Sequence, residues 1–432
     1  NKNYNLGFRF MKLGIIGDDF TGSSDIANNL KKSGMQVSMY AGIPHSIAKD
    51  EQNHSTDAIV IALKTRTIPI ENAISESLKA LSWLKECGCQ QFIFKYCSTF
   101  DSTKKGNIGP VTDALMKELK TDFTIACPSF PDAGRTVYNG HMFVNGVPLN
   151  ESGMQNHPLT PMTDHNLVRW LNYQTEGKVG LVDSTSIANG VDSVIGKINE
   201  LKNNGYQYAI IDTINNEDFD IICNAVKDLP FLTGGSGIAL GLPQIYKDRG
   251  YLSGSNFKIP ENNSNAVIMS GSCSNATLEQ INIYKENNPS FYLDPDNIMN
   301  NQNLLGAVFD WIKENETKSP LVYSSSESKI VTEKQSQYGQ EILADKIEVF
   351  FEKLSKKLVE DNFGRFISAG GETSGAIIKG LGVQELKIGE EISHGVPALW
   401  SPHSYGQKPI SITLKSGNFG QKDFFERALN IL

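Results

Sequence analysis

The chain lacks most of what an exported, membrane-bound or metal-centred protein carries. It has six cysteines (Cys87, Cys89, Cys97, Cys127, Cys223 and Cys273), and none forms a CxxC pair or a zinc-ligand spacing. Its seven histidines show no HExxH. A disulfide scaffold is therefore excluded, and a dedicated transition-metal site is disfavoured. No apolar run is long enough to cross a bilayer. The first ten residues, NKNYNLGFRF, have neither an apolar core nor a cleavage site. They read as a scar or an upstream extension, with Met11 as the natural start. Scattered thiols without an export signal place the protein in the cytoplasm. There is no excess of positive charge: 40 Lys and Arg against 48 Asp and Glu give a net charge of −8. That argues against general nucleic-acid binding, but leaves local anion sites open. GxxxxGK[ST] does not occur anywhere, so any nucleoside triphosphate is held without a P-loop. There are no repeats, low-complexity tracts or long charge runs.

What is present is an alternation. Short β-branched runs at 12–17, 36–41, 57–63, 91–96, 123–127, 178–182 and 207–212 are separated by amphipathic stretches such as ENAISESLKALSWLKECG. This pattern predicts α/β architecture with largely parallel or mixed sheets flanked by helices. The 432 residues exceed one ordinary core. SGSNFKIPENNS, 253–264, is polar and aperiodic and reads as a linker and hinge. It separates a domain over 11–252 from a second over 265–432, where the rhythm restarts with NAVIMSG and continues through LLGAVFDWIKEN and PLVYSS. Residues 129–165 have little regular pattern and read as a functional loop or a small hairpin excursion. DKIEVFFEKLSKKLVED reads as an amphipathic helix with a solvated face.

Five stretches carry chemistry. GDDFTGSSD sets Asp18 and Asp19 between a strand and a helix that closes at Gly34. Two adjacent carboxylates repel, and one pKa rises unless a cation or donor-rich loop compensates. Such a pair orients hydroxyls, holds a metal or acts as a base. Simple helix capping by either Asp or by Thr21 is the alternative. KYCSTFDSTKKGNIGP offers Ser98, Thr99, Asp101, Lys105 and Asn107 to a small polar ligand, or else forms a hydrogen-bonded turn. PSFPDAGRTVYNGHMF carries Arg135, suited to a bidentate grip on a carboxylate, or paired to Asp132. TGGSGIALGLP, with Gly235 and Ser236, frees backbone N–H groups for an anion at a helix start, or is a tight packed turn. In the second domain MSGSCSNAT, ISAGGETSGAIIKGLG and TLKSGNFG form three glycine- and hydroxyl-rich turns. They suggest a phosphate cradle.

Together, GDDFTGSSD, DSTKKGNIG, GRTVYNGH, TGGSGIALGLP, SGSCSNAT, AGGETSGAI and KSGNFG, in order from Met11 onward, resemble the four-carbon acid sugar kinases. The resemblance implies an N-terminal acid-sugar-binding domain, a C-terminal nucleotide-binding domain and a site in the cleft between them that closes over substrate. It implies ATP and Mg²⁺, with ATP contacts at Ser272, Gly370, Gly371, Glu372, Thr373 and Gly417, the same three turns read from the residues. KYCSTFDSTKKGNIGPVTDAL and ESGMQNHPLTPMTD are similar to the branch that phosphorylates C4 of a 3-oxo-tetronate. Lys104 and Lys105 stand where threonate-type kinases have Leu-Arg. The acid sugar falls to Asp18, Asp19, Arg135, the 98–107 cluster, Gly235 and Ser236, with Asp19 the preferred base. A D-threonate or D-erythronate 4-kinase is the near alternative. A dehydrogenase using the 233–241 turn or a non-catalytic acid-sugar sensor is the distant one. A small-molecule partner is implied, with neither nucleic acid nor membrane, and a homodimer is left open.

Overall fold

A computed structural model describes residues 11–45, 56–157, 159–254 and 257–432. Residues 1–10 lie outside the described residues. The chain divides into two compact units, one ending at residue 256 and the other beginning at Phe257.

The first unit is built on eight strands: β1 (Lys12–Gly17), β2 (Val37–Ala41), β3 (Ala58–Ala62), β4 (Cys89–Lys95), β5 (Thr124–Cys127), β9 (Lys178–Val182), β10 (Tyr206–Ile211) and β11 (Phe231–Gly234). Their order is β2-β3-β1-β4-β11-β5-β10-β9. Each neighbouring pair is parallel. Strands β1 and β3 are buried along their whole length, as expected of β-branched runs covered on both faces. Phe92, Phe94, Tyr96, Trp170 and Phe231 belong to one core with Leu81 and Leu84 of the helix Ile70–Glu86. The register sets the strand ends level. Gly17 stands opposite both Ala62 and Lys95, and Gly234 opposite both Lys95 and Cys127. Whatever follows these residues therefore emerges along one sheet edge, where open α/β sheets bind ligands.

The segment 129–165 carries a three-stranded antiparallel sheet of β6 (Arg135–Tyr138), β7 (His141–Val144) and β8 (Val147–Pro148). Both of its turns are Asn-Gly with positive φ throughout: Asn139 and Gly140 at 50° and 75°, Asn145 and Gly146 at 51° and 80°. These are the turns whose twist matches a hairpin. The buried Asp212 carboxylate, just past β10, accepts the backbone N–H groups of Asn139 (2.6 Å), Gly140 (2.8 Å) and Ser184 (2.8 Å). One side chain thus ties the hairpin that carries Arg135 to the main sheet.

The second unit orders its strands β13 (Ser290–Tyr292), β14 (Leu321–Tyr323), β12 (Ala266–Ser270), β15 (Arg365–Ala369), β18 (Ile410–Lys415), β17 (Val396–Ser401) and β16 (Glu385–Ser393). The first five are parallel, and β16 and β17 form an antiparallel hairpin added to β18. Ser270, Ala369 and Lys415 stand level in this register. Residues 257–264, read from composition as linker, are laid onto this unit. Asn262 donates to Gly364 O (2.9 Å), Ile259 packs on the core, and Phe257 meets the Trp400 ring at 5.5 Å. Among the described residues no helix is long and apolar enough to cross a membrane. Among the described residues no disulfide joins any of the six cysteines.

Asp212→Ala leaves three backbone donors without their acceptor. It is expected to lower the unfolding free energy of the first unit by about 2–3 kcal/mol, more than Asp212→Asn, which keeps an acceptor oxygen. Urea denaturation of the two variants checks this.

Candidate functional site

Asp18 and Asp19 follow β1 directly. Asp19 is the N-cap of the helix Phe20–Lys32: its Oδ1 accepts from Gly22 N (3.1 Å) and its Oδ2 from Thr21 Oγ1 (2.8 Å). Capping is therefore real, yet it does not exhaust the pair. Arg66, four residues past β3, donates through Nε to Asp18 Oδ2 (2.9 Å) and through Nη2 to Asp18 Oδ1 (2.7 Å). The same Nη2 reaches Asp19 Oδ1 at 2.8 Å. The cation that the repelling carboxylates need is this arginine, which motif reading passed over. Burial pushes the Asp18 carboxyl up, against the pull of Arg66. Burial works on Asp19 in the same direction. There Arg66, Lys95 and the bonds from Thr21 and Gly22 outweigh it and hold the group below the usual carboxylate range. Arg66 itself stays charged.

Lys95 ends β4 and is almost fully buried. Its Nζ donates to Tyr96 O at 2.7 Å and its charge acts on both Asp19 and Asp25. A Cβ on Gly22 would lie 2.4 Å from Asp19 Oδ1 and 2.6 Å from Lys95 Nζ. The glycine of GDDFTG is thus the gap into which both groups fit. Asp25, two turns into the same helix, faces Ser236, Lys95 and Arg135.

The 98–107 cluster divides. Thr99 Oγ1 donates to Asp101 Oδ1 (2.6 Å), both buried. Asn107 Nδ2 donates to Thr65 O (2.7 Å) and Ile68 O (2.9 Å), so this amide fixes the loop bearing Arg66. Ser98 packs its Cα 3.3 Å from where a Gly235 side chain would start. Lys105 is exposed, and Lys104 lies over the Tyr173 ring at 4.6 Å. The lysine brought to the carboxylates is Lys95, not Lys105, because Lys95 alone of the three ends a strand at the shared edge.

Arg135 begins β6, its Nη1 bonds to Ala133 O, and its charge reaches Asp25. Gly235 and Ser236 follow β11, with Gly235 N bonded to Cys127 O at 3.0 Å. The helix expected after them is a five-residue 3-10 turn, Ser236–Leu240, followed by a bend into Leu242–Asp248. So the loop offers local N–H groups and no helix macrodipole. Ser129 keeps a buried hydroxyl at the same edge with no hydrogen-bond partner.

In the second unit the three turns converge. Gly271 N and Ser272 N both bond Ala369 O (3.0 and 3.2 Å), and Gly370 N bonds Lys415 O (2.8 Å). Ser274 Oγ and Thr277 Oγ1 donate to Gly417 O at 2.5 and 2.9 Å. Side chains are excluded from the space between them. A Cβ on Gly271 would lie 2.2 Å from Thr373 Oγ1, and one on Gly417 2.5 Å from Ser272 Oγ. The helix Gly371–Leu381 opens on Gly370 (φ 120°) with no side-chain cap, leaving its first N–H groups for an anion. Ser272, Gly370, Gly371, Thr373 and Gly417 are thus in one cradle, while Glu372 is exposed at its lip. Lys415, missed from the sequence, lies beneath. Its Nζ donates to Thr277 Oγ1 (2.8 Å), Ser416 O (3.1 Å) and Gly417 O (3.0 Å), and burial pushes it down to about 7.

Arg66→Met strands two buried carboxylates side by side and is expected to destabilise the first unit by about 3–5 kcal/mol. Without the cation both folded-state pKa values rise above their unfolded values, so the loss is larger at pH 8 than at pH 5. Urea midpoints at the two pH values check this.

Family models match both units: one described as a sugar-binding N-terminal domain over residues 13–242, the other as a nucleotide-binding C-terminal domain over 267–425. A Pseudomonas savastanoi pv. phaseolicola protein named 3-oxo-tetronate kinase is 45% identical over 97% of this chain and 97% of its own. A Haemophilus influenzae protein of the same name is 44% identical over 96% and 98%. The crystal structure of Haemophilus influenzae HI1011 is 42% identical, covering 97% of this chain and 99% of its own with a TM-score of 0.75. From its paired aspartates to its last glycine turn, the chain belongs to the four-carbon acid sugar kinase family.

Proposed function

We infer that this protein is an ATP-dependent kinase that phosphorylates the C4 hydroxyl of a 3-oxo-tetronate, releasing ADP. The observation that carries this reading is the full-length likeness to proteins named 3-oxo-tetronate kinase, at 42–45% identity. The geometry supports it from two sides. The first unit gathers cations and carboxylates at one sheet edge, as a small acid with several hydroxyls requires. Lys95 and Arg135 are the cations for its carboxylate. Asp18, Asp19 and the Ser98–Asn107 segment take its hydroxyls, and the Ser236 amide, just past the bonded Gly235 N, meets the phosphoryl group in transfer. The second unit offers a cradle of N–H groups and hydroxyls at Ser272, Gly370–Thr373 and Gly417 that suits a triphosphate.

Phosphoryl transfer asks chiefly for positioning and charge neutralisation. Among the described residues no three His, Cys, Asp or Glu side chains gather into a metal cage. Mg²⁺ would ride on the nucleotide, with few protein ligands. The ion would neutralise phosphate oxygens, beside the hydroxyls of Ser272 and Thr373. The setting is cytoplasmic.

Gly417→Ala places a methyl group against Ser272 and is expected to weaken ATP binding by about tenfold or more, with acid-sugar binding unchanged. Calorimetry with each ligand separately reads both. ADP release with Mg·ATP should be strong on 3-oxo-tetronates and absent on D-erythronate, L-threonate and D-threonate. Turnover on a plain tetronate would move the protein to the other branch, and ADP from none of them would reopen the substrate.

A further inference from the structure

The helix that Asp19 caps also carries Asp25, and this carboxyl differs in kind from the two before it. Asp19 has both oxygens engaged, by Gly22, Thr21 and Arg66, and Asp18 has both on Arg66. Asp25 is 9% exposed, and its Oδ1 is buried with no hydrogen-bond partner. The Ser236 hydroxyl favours the ionised form of the carboxyl. One turn on, Asn29 Nδ2 donates to the Ser236 carbonyl at 2.9 Å, so the helix grips the glycine loop beside Asp25. The charged groups acting on Asp25 are Lys95 at the end of β4, Arg135 of β6 and Asp19 at the helix start.

A buried carboxyl oxygen left without a donor, beside the glycine loop that Asn29 holds, has no structural duty to explain it. Resting on the kinase reading, we propose that Asp25 accepts the proton of the acceptor hydroxyl, while Asp18, Asp19 and Arg66 form the charged floor that orients the substrate. The hydroxyl O–H bond breaks and its proton passes to Asp25 Oδ1. The oxygen lone pair forms the bond to the γ-phosphorus. The bond from that phosphorus to the β–γ bridging oxygen breaks, and its electron pair leaves with ADP. The proton is then released to solvent, so one proton appears per turnover.

The charge state of Asp25 fits this duty. Burial pushes its pKa up to about 6, against Lys95, the Ser236 hydroxyl and Arg135. A base that titrates just below working pH is ionised yet still takes a proton. Asp19, held low, is the poorer acceptor. The same displacement has a cost in stability. A carboxyl whose folded pKa lies above its unfolded value stabilises the fold only at low pH, and that contribution is lost as pH rises toward 6.

The test is the pH profile of kcat/KM for the full chain with Mg·ATP and the acid sugar it turns over, for wild type, Asp25→Asn, Asp19→Asn and Ser236→Ala. Wild type should lose rate on the acid side with a midpoint near pH 6. Asp25→Asn should fall by about 10²-fold or more, with no acid limb in the residual rate, unchanged ATP affinity by calorimetry, and a melting temperature at pH 8 equal to or above wild type. Asp19→Asn should keep the limb. Ser236→Ala removes a hydroxyl that favours the ionised form, so the limb should move to higher pH, and this holds the proposal to account even if Asp25→Asn fails to fold. An acid limb that survives in Asp25→Asn, one that vanishes in Asp19→Asn, or one unmoved in Ser236→Ala overturns the assignment of the base and leaves the kinase standing. A wild type that releases no ADP on any acid sugar removes the kinase reading and this proposal with it.

Discussion

Two neighbouring carboxylates cannot both stay ionised out of water without a cation, and Arg66 is what permits Asp18 and Asp19 to stand together at the end of β1. One guanidinium spans both, with bonds of 2.7 to 2.9 Å. Its planar fork suits this, since a point charge on a lysine stem would not hold two carboxylates in a fixed arrangement. Much else is arranged to keep that fork in place. Asn107 spends its amide on the carbonyls of Thr65 and Ile68, fixing the loop on which Arg66 rides. Thr65 N returns to Asp18 O at 3.0 Å. Asp19, relieved of repulsion, is then available to start the helix that carries Asp25.

The second unit meets the same requirement, holding charge at a sheet edge, by the opposite means. It lays glycine backbone and serine and threonine hydroxyls side by side where three turns converge. The deeply buried Lys415 is turned inward onto Thr277 Oγ1 and two carbonyls. That lysine steadies the 416–417 turn from below. In the proposed reading the first unit binds with side chains that must be neutralised, and the second with backbone that must be left uncovered.

The parallel core was legible from composition and period. The runs at 12–17, 123–127 and 178–182 match the observed strands to within a residue, because a strand covered on both faces must be apolar throughout. Strand β11 escaped notice, since its FLTG run is short and ends in the glycines that drew attention as a loop. The hairpin of 129–165 was half seen; its two Asn-Gly pairs were the signal for its turns. The three nucleotide turns were readable because small residues between a strand and a helix have few other uses. Arg66 was not, because a single charged residue in an ordinary stretch carries no local mark; Asp25, Lys95 and Lys415 lie inside GDDFTGSSD, KYCSTFDSTKKGNIGP and TLKSGNFG, where nothing local separates them from the other polar residues.

The sequence by itself determined the α/β class, the order of the elements, the glycine turns and the membership of the family, all of which follow from short-range pattern. Tertiary structure alone decided which charges meet. Parallel pairing sets Gly17, Ala62, Lys95, Cys127 and Gly234 level across the sheet. Residues up to two hundred positions apart then share one edge at hydrogen-bond distance. Which carboxylate is neutralised, and which keeps a free oxygen, depends on burial and on the nearest cation. Neither is a property of the residues next to it in the chain.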